Sequence, residues 1–511
     1  MGNLIDKAVN FLSPGWGLAR ARNRALEMIV SGGYEGASTS NAIFQEFLTS
    51  TTDADSSFSS WDRKRIIERS RDNIRNVPIA SAVINRTCDH SIGDRGLTLH
   101  PQVDRQILGM SEDQAIEWQD KTDQEWRLFS ESKEVDFYRE QNFAEKTYLT
   151  LKSELEGGDC ATIFLNVKRP GSPYGLKLQS LEGEFISNPD YKQDTESLIQ
   201  GIEKDKSGIP VAYHFSKRHP GDRLELSAED WQRRKIFDSK GRRNILLHKN
   251  QIRFGQTRGV PILGPVTGKL LQIGRLSKAE LLASVLNSYY TLVVTGKQGD
   301  TLPVKTSPAE QNSTLTVDDK LTMGSGSFIR AKEGTEVKSF DPARPNVKFE
   351  PFFMTMVAEI GAAVGVPKSL IMMLFDKSYS ASRGEVLLAW IYFLAKRTHV
   401  AVGLCQPTYE AFLDEAVALG RISAPGYFQN EIFRKAYQGS PYNQWTGPTR
   451  PAIDELKEAR AHALYNSIGT QSLQEITTKT TGRSWQKVNE QIIREHNLRV
   501  GAGLETEVDI A

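Results

Sequence analysis

Two strongly apolar helical runs flank a short polar, serine-rich segment at residues 376–383. Upstream, apolar residues recur at steps of three and four, the spacing of one buried helix face. They are Phe349, Phe352, Phe353, Met356, Val357, Ile360 and Val364. Pro367 disfavours a helical Val366 and is predicted to end this helix. Downstream, residues 386–395 (VLLAWIYFLA) are apolar all round, so that helix is predicted to be buried on most sides. The polar loop between the two runs is predicted to face an aqueous environment.

The bulk composition predicts a soluble globular protein with several subdomains. A chain of 511 residues is too long for one simple core. Its 39% hydrophobic and 25% charged residues are typical of folded proteins. The 64 Lys and Arg residues balance the 63 Asp and Glu residues, for a net charge of +1. This balance argues against a protein whose main task is to hold nucleic acid on a basic surface.

Cysteine usage and hydropathy indicate a soluble protein made in a reducing compartment. The three cysteines (Cys88, Cys160 and Cys405) are widely spaced and odd in number, which argues against a disulfide framework. The longest apolar run, 386–395, has ten residues, whereas a bilayer span needs roughly 20. The N-terminus lacks the pattern of a secretory signal, so no membrane association is predicted.

Periodicity and turn residues predict an α+β chain with a flexible N-terminal arm. Helical spacing covers 61–76, 79–89, 112–130, 143–156, 269–293, 349–365 and 383–419, the last interrupted near Gly403 and Pro407. Short β-prone runs occupy 160–168, 176–183, 198–205, 209–217, 327–331 and 335–340. Residues 218–260 are predicted as basic turns. Shorter helices follow 454, before a loose tail at 501–511.

Motifs for metal or nucleophilic chemistry do not occur in the sequence. The eight histidines are scattered, and His214 and His219 fall where a strand leads into a turn. GSGS at 324–327 lacks the lysine and the strand–loop–helix setting of a phosphate-binding loop, and no GxSxG elbow occurs. Asp454, Glu455 and Glu458 have the spacing of a solvated helix start. We therefore predict no enzyme activity, no metal site and no cofactor.

Two basic clusters could contact phosphates or a partner. On the helix at 61–76 basic residues alternate with acids, which favours a salt-bridged surface or a subunit contact. These basic residues are Arg63, Lys64, Arg65, Arg69, Arg71 and Arg75. The second cluster has only Asp238 among its cations, so contacts with phosphates or with a partner's acidic face both stay open. It comprises Arg233, Arg234, Lys235, Lys240, Arg242 and Arg243.

Eight segments in order along the chain resemble the lambda-type portal proteins of tailed bacteriophages. The shorter ones are YEGA (34–37), LEGEFI (181–186), GIEKDKSGIPVAYHF (201–215) and RFGQTRGVPILGP (253–265). The longer ones are RSRDNIRNVPIASAVINRTCDHSIGDRGL (69–97), GSFIRAKEGTEVKSFDPARPNVKFEPF (326–352), VGVPKSLIMMLFDKSYSASRGE (364–385) and 445–495. Any one segment is weak, but the order and gaps of all eight are specific.

The resemblance implies a ring, usually a dodecamer, at one capsid vertex, through which double-stranded DNA enters during packaging and leaves on infection. It divides the chain into an arm (1–60), a wing (61–265), stem helices (266–295 and 347–365), a clip (296–346), a tunnel loop (366–382), a spine helix with wing return (383–440) and a crown-like region (441–511). The tunnel loop would present Asp376, Lys377, Ser378, Tyr379 and Ser380 to the channel.

The resemblance also implies partners and a location. The clip would dock the terminase large subunit and later a head–tail adaptor protein, and major capsid and scaffold proteins would be further partners. The ring would belong to the virion and would assemble in the cytoplasm of the bacterial host.

Two other classes of protein from the same pathway stay open. A nuclease or head-maturation protease would need a clustered metal set or an activated nucleophile. A capsid or scaffold protein would form shells or scaffolds instead of discrete closed rings.

Overall fold

A computed structural model describes residues 51–222, 230–288, 292–295, 336–339, 349–374, 378–450 and 454–502. The chain divides into two compact units, Met1–Ser57 and Phe58–Ala511. In the first, Asp53 Oδ2 accepts hydrogen bonds from the backbone N–H groups of Asp55 and Ser56, at 3.2 and 3.3 Å. The second unit, described below, mixes helices with small sheets.

Five helices open the second unit: α1 (Ser60–Asn76), α2 (Pro78–Ser91), α3 (Arg105–Leu108), α4 (Glu112–Ser130) and α5 (Phe143–Gly157). Pro78 begins α2, where its missing N–H costs nothing. Ser111 with Gln114, and Asn142 with Glu145, form reciprocal capping boxes at the starts of α4 and α5. The helices predicted at 61–76, 79–89, 112–130 and 143–156 are confirmed, to within two residues at each end.

Two antiparallel sheets follow. One has the order β3-β2-β8, from β2 (Asp159–Asn166), β3 (Leu176–Glu182) and β8 (Ile245–Lys249). The other has the order β4-β5-β6-β7, from β4 (Leu198–Ile199), β5 (Ile202–Lys204), β6 (Pro210–Ser216) and β7 (Trp231–Lys235). A small apolar core joins them, and it includes Ile163, Ile186, Tyr213, Phe215, Ile236 and Ile245.

Strands β7 and β8 correct the prediction that 218–260 is only turns. The polar β7 (WQRRK) has no apolar alternation of its own, and it pairs with β6 in register from Ser216↔Trp231 to Ala212↔Lys235. Its structure is therefore set by tertiary pairing, which local propensity does not report. Strand β8 (ILLHK) did carry a short apolar run.

The next part contains three helices of 16 to 22 residues and the short α8. They are α6 (Thr267–Ser288), α7 (Phe349–Val364), α8 (Lys368–Met372) and α9 (Tyr379–Val400). Between α6 and α7, β9 (Leu292–Thr295) pairs antiparallel with β10 (Glu336–Ser339). The helix predicted to reach 293 thus ends at Ser288. The strand predicted at 335–340 is confirmed as β10, and the one predicted at 327–331 lies outside the described residues, as does most of 296–346.

Near Gly403 and Pro407, where an interruption was predicted, the helix after residue 383 departs from α-helical winding but does not end. Instead, α9 passes through one π turn (Ala401–Cys405) into α10 (Gln406–Ala418). Pro407 has no N–H to donate to the preceding turn, and a single wide turn absorbs that defect without ending the helix. By length and composition alone, the continuous helix Ala381–Ala418 could cross a membrane.

The C-terminal part contains α11 (Glu431–Gln438), α12 (Pro441–Gln444), β11 (Trp445–Thr446), α13 (Glu455–Ser467), α14 (Leu473–Thr481) and α15 (Trp485–Gly501). Strand β11 pairs with β1 (Thr98–Leu99), so the chain returns to its first helical layer. An aromatic cluster fills the core there, built from Trp126, Phe129, Phe143, Tyr174, Tyr409, Phe412 and Trp445. In contrast, α13, α14 and α15 contain no buried residue.

A buried ionic cluster ties the sheets to the helical layer. Asp159 accepts hydrogen bonds from Arg63 at 2.9 Å, from Arg258 at 2.7 and 2.8 Å, and from the Gly259 N–H at 2.8 Å. Burial alone would raise the pKa of Asp159, but the two guanidinium groups hold that pKa well below its usual range. Arg63 belongs to the basic cluster predicted as a salt-bridged surface or subunit contact, and its burial was not foreseen.

Candidate functional site

The serine-rich segment at 376–383 covers the end of the connection between α8 and α9 and the start of α9. Helix α8 ends at Met372, and its C-cap Met373 is a non-glycine residue with φ of 54°. The predicted loop 366–382 is therefore shorter than expected, because α8 lies within it and α9 already begins at Tyr379. Tyr379 and Ser380 lie in the first turn of α9, not in a loop. Asp376 and Lys377 fall outside the described residues.

The base of this turn is fixed by polar contacts. Ser369 Oγ donates to Glu385 Oε2 at 2.5 Å, which joins α8 to α9. Arg86 Nη2 of α2 donates to Met373 Sδ at 2.8 Å. Ser378 precedes α9 with extended backbone, and its carbonyl accepts from the Ser382 N–H at 3.0 Å. The ends of the turn are thus held by three different helices.

Close backbone packing holds the preceding turn, between α7 and α8, against α9. Gly365 has φ of 79°, and a Cβ there would lie 2.9 Å from the Tyr392 ring of α9. A Cβ at Gly361 would lie 2.4 Å from the Val366 carbonyl oxygen. Only glycine fits at both positions. This fit positions α8, and the turn that follows it, on α9.

Helix α9 is apolar on two opposite sides, but only one side is buried within the chain. Ala389 and Phe393 are buried, whereas Leu388 and Ile391 are 72% and 67% exposed. Leu387, Leu394, Met373 and Leu374 extend the exposed apolar surface. The expectation that 386–395 is buried on most sides is therefore wrong for a single chain. Such a continuous apolar surface is costly in water and marks an interface.

Helix α6 shows a second exposed apolar surface beside α7. Leu281 and Leu282 are 66% and 60% exposed, and Leu271 and Val285 lie on the same helix. Lys269 of α6 donates to Glu359 of α7 at 2.5 Å, so the two helices are bridged near their packed ends. The two predicted helices are present as α6 and α7. Among the described residues, α6 exposes four large apolar side chains.

The basic cluster at 233–243 is partly neutralised. Arg233 donates twice to Glu203 of β5, at 2.7 and 2.8 Å, and this pair lowers the pKa of Glu203 to about 2. Arg242 pairs with Asp238 at 2.8 Å. Arg243 lies over the Phe237 ring, with its guanidinium carbon 5.0 Å from the ring centroid. The acid that pairs with Arg233 lies on another strand, so it was not visible in the local sequence.

The remaining basic residues of this cluster lie at the edge of the second sheet. Arg234 is half-buried and donates to Gln232 Oε1 at 3.0 Å, and Lys235 and Lys240 are exposed. The structure thus separates the cluster into paired cations and cations available to a partner.

One group of possible metal ligands was not foreseen. Glu182, Glu184 and His219 bring their ligand atoms within 4.8 Å of one another. The guanidinium group of Arg71 already contacts both carboxylates, at 3.2 and 2.5 Å. A cation is therefore built into this group, and it does not have the character of a free metal site.

Polar contacts attach the C-terminal helices to the rest of the unit. Glu458 of α13 is 3.2 Å from Arg450 and 3.8 Å from Arg383 at the start of α9. Its prediction as a solvated helix residue is therefore wrong. Lys487 of α15 donates to Asp123 of α4. Beside this contact lies a cavity of about 770 Å³, lined among others by His100, Arg127, Arg483 and Lys487.

Comparisons with known proteins agree with the resemblance drawn from the sequence. Residues 41–397 match the sequence model of "Phage portal protein, lambda family". A "Probable portal protein" of Halomonas phage phiHAP-1 is 21% identical over 306 residues, which cover 60% of this chain and 57% of the relative. The chain thus spans less than two thirds of that relative.

Among solved structures, the chain is similar to "Neck of empty GTA particle computed with C6 symmetry", with 13% identity and a TM-score of 0.47. It is also similar to "Neck of native GTA particle computed with C12 symmetry", with 14% identity and a TM-score of 0.40. In both cases 82% of this chain is covered, with 92% and 93% of the other chain.

Proposed function

Since this chain belongs to the lambda family of phage portal proteins, we propose that it closes into a ring at one vertex of the phage head and that DNA passes through that ring. The carrying observation is the apolar surface of α9, which is exposed at Leu388 and Ile391 while the opposite side of the same helix lies in the core. A subunit that shows so much apolar surface needs a partner. In a closed ring, each copy covers its neighbour.

The C-terminal helices support the same proposal. Helices α13, α14 and α15 bury no residue within their own chain, yet they carry exposed apolar side chains such as Leu464, Ile468, Ile492 and Leu498. Short helices gain most of their stability from packing an apolar face. We assign this region to the crown-like part, where neighbouring copies would supply the missing contacts.

The stem and clip follow from the connections of α6 and α7. These helices bracket residues 289–348, and the described parts of that segment form the antiparallel pair of β9 and β10. We assign α6 and α7 to the stem and the bracketed segment to the clip, which would dock the terminase large subunit and later a head–tail adaptor. The two sheets and α1 to α5 would form the wing.

The α8–α9 turn would then be the tunnel loop. Twelve copies of Asp376 and Lys377 would set alternating charges around the duplex. A conduit must let DNA slide, so few phosphate contacts per subunit suit it, because each contact adds affinity. The net charge of +1 agrees with such weak steering. No enzymatic step is required of this chain.

Particle imaging tests the ring directly. The purified 57.2 kDa chain should form particles with a central hole and a rotational symmetry near twelvefold in negative-stain micrographs. Light scattering on the same sample should give one discrete multiple of the subunit mass. A chain that stays monomeric at all concentrations, or that forms open shells, would contradict the proposal.

A second experiment tests the clip. Charge reversals within 296–346 should block packaging or tail joining in infected cells while rings still form from the purified chain. Normal packaging and normal tail joining in all such variants would contradict the clip assignment.

A further inference from the structure

Strand β7 has a free edge among the residues that the structure describes, because it is the last strand in the order β4-β5-β6-β7. The Lys217 N–H donates to the Asp230 carbonyl and the Ile236 N–H to the Val211 carbonyl. In an antiparallel pair, hydrogen-bonded positions alternate. With the observed register, positions 232 and 234 therefore bond to β6. The backbone groups of Trp231, Arg233 and Lys235 point away from the sheet.

A groove runs beside this free edge. Its volume is about 580 Å³. One wall is β7, from Gln232 to Lys235, and the other comprises Ile163, Phe164, Asn244 and Ile245 of the first sheet and its approach. The groove thus borders the free backbone hydrogen-bonding groups of β7, and Phe164 is its partly exposed apolar side chain, since Ile163 and Ile245 are buried.

The surroundings of the groove are positively charged. Among the described residues, six cations near β7 have no carboxylate within ion-pair distance. They are Lys217, Arg218, Arg234, Lys235, Lys240 and Arg243. Arg233, in contrast, is satisfied by Glu203. The unpaired cations favour an acidic partner by charge complementarity.

We propose that β7 binds an extended, acidic segment of a partner protein as a fifth strand of its sheet. Every second side chain of that segment would be apolar and would enter the groove on the inner face of the sheet. The acidic side chains all lie on the other face, where they would reach Lys235. This mode of binding gains affinity from the main chain and specificity from alternate side chains.

Two other occupants fit the observations less well. A DNA duplex offers phosphate acceptors, but it has no alternating N–H and C=O groups to match the free edge. A second copy of β7 would place like charges opposite each other, which disfavours pairing. Basic residues on an edge strand also prevent such self-association.

The proposal can be tested with the full-length chain and a fluorescein-labelled peptide of about eight residues, alternating valine and glutamate. Binding is measured by fluorescence anisotropy. Lys235→Pro removes the outward-pointing N–H, which an edge strand tolerates, together with the lysine charge. It should weaken binding about tenfold, the scale of one lost hydrogen bond. Lys235→Ala, which removes the charge and keeps the N–H, should weaken binding less than Lys235→Pro, and Lys133→Glu, at an exposed site on another element, should leave it unchanged.

Several results would overturn the proposal. They are an absence of peptide binding, equal binding of a valine–lysine peptide, or binding that is indifferent to Lys235→Pro in a variant with an unchanged circular dichroism spectrum. A short DNA duplex that binds more tightly than the peptide, and is lost in Arg234→Glu but not in Lys235→Pro, would assign the surface to nucleic acid instead.

Discussion

Asp159 and Arg258 form a two-bond ion pair, at 2.7 Å from Nη2 to Oδ1 and 2.8 Å from Nε to Oδ2, with both side chains inaccessible to water. Arg258 also donates to the backbone carbonyls of Gly183, Ile186 and Gln200. One guanidinium group therefore fixes two segments, 183–186 and the β4–β5 turn at Gln200, against the start of β2, and this part of the fold depends on its counter-charge.

Asp159→Asn should strongly destabilise the wing. Two buried guanidinium groups would lose their only carboxylate in this cluster, and removal of one partner of a buried pair costs about 3–5 kcal/mol. Urea unfolding measures the loss. As a control, Glu68→Gln breaks the exposed pair with Arg65 at 3.2 Å and should change the free energy of unfolding by less than about 1 kcal/mol. Equal effects of the two substitutions would show that the buried pair contributes no more to the free energy of unfolding than the exposed pair does.

The buried His248 should make the free energy of unfolding depend on pH. Burial, with the nearby His399, lowers its pKa to about 3, whereas an unfolded histidine titrates near 6.5. Between these values the unfolded chain binds the extra proton, so stability should fall with decreasing pH, by up to about 1.4 kcal/mol per unit.

The contribution of His399 has the opposite sign, because Glu154 raises its pKa. That stabilisation is complete below pH 6.5 and is lost as the pH rises through the higher, folded pKa. Comparing His248→Gln with the parent chain isolates the first effect, and the variant should show a flatter pH dependence between about 6.5 and 4. His496→Gln, at an exposed site on α15, is the control. Parallel pH curves for the parent and His248→Gln would refute the assignment.

Ile391→Glu should prevent ring formation without unfolding the subunit. Ile391 is exposed in the single chain, so the new charge is hydrated there, but it would be buried against a neighbour in the ring. Size-exclusion chromatography with light scattering should show monomers with a native circular dichroism spectrum. Ile209→Glu, at an exposed turn between β5 and β6, should still form rings. Rings of normal size from Ile391→Glu would exclude this surface from the interface.

Lys377→Ala should leave the ring intact and impair packaging or retention of DNA. The expectation rests on the contacts on either side of Lys377, Ser369 with Glu385 and Arg86 with Met373, since a segment between rigid elements can act at a defined radius. Genome content per particle is the measurement. Deleting 378–382 is a less clean test than the sequence suggested, because it removes the first turn of α9 as well. Particles that hold full-length genomes at normal levels would disprove a channel role for Lys377.

Lys487→Ala should loosen the C-terminal helices from the wing. Its ion pair with Asp123 is one of the few contacts between α15 and α4, and a charged hydrogen bond contributes roughly 1.5–3 kcal/mol. Amide hydrogen exchange in α15 should accelerate by about tenfold or more, while α4 keeps its protection. Lys479→Ala, which breaks an exposed pair within α14, should have little effect on α15. Unchanged exchange in Lys487→Ala would mean that other contacts hold this region.

Much of the helical architecture could be predicted from the sequence, because amphipathic spacing and capping residues are local signals. The helices from Ser60 to Gly157 and the pair α6 and α7 follow from them. Strand β7 could not be predicted, since WQRRK, with four polar residues among five, becomes a strand only when β6 lies beside it. The exposed side of α9 was also missed, because hydropathy does not distinguish a core from an interface between subunits.

The site residues show the same limit. Arg63 and Asp159 are 96 positions apart, and Asp159 and Arg258 are 99 apart. Arg233 and Glu203 likewise pair across 30 positions. Local charge patterns could not reveal these partners. The sequence did locate the polar segment before α9, but it did not reveal that α9 already begins at Tyr379.

The two-sided apolar helix α9 makes the newly synthesised subunit the vulnerable form of this protein. Until another subunit packs against it, the side of α9 that exposes Leu388 and Ile391 can bind nonspecifically to other apolar surfaces in the cell. Encounters between subunits grow with the square of their concentration, whereas encounters with such surfaces grow only in proportion to it. Slow synthesis would therefore lose many subunits to nonspecific binding. Rapid synthesis would favour assembly of subunits over such losses.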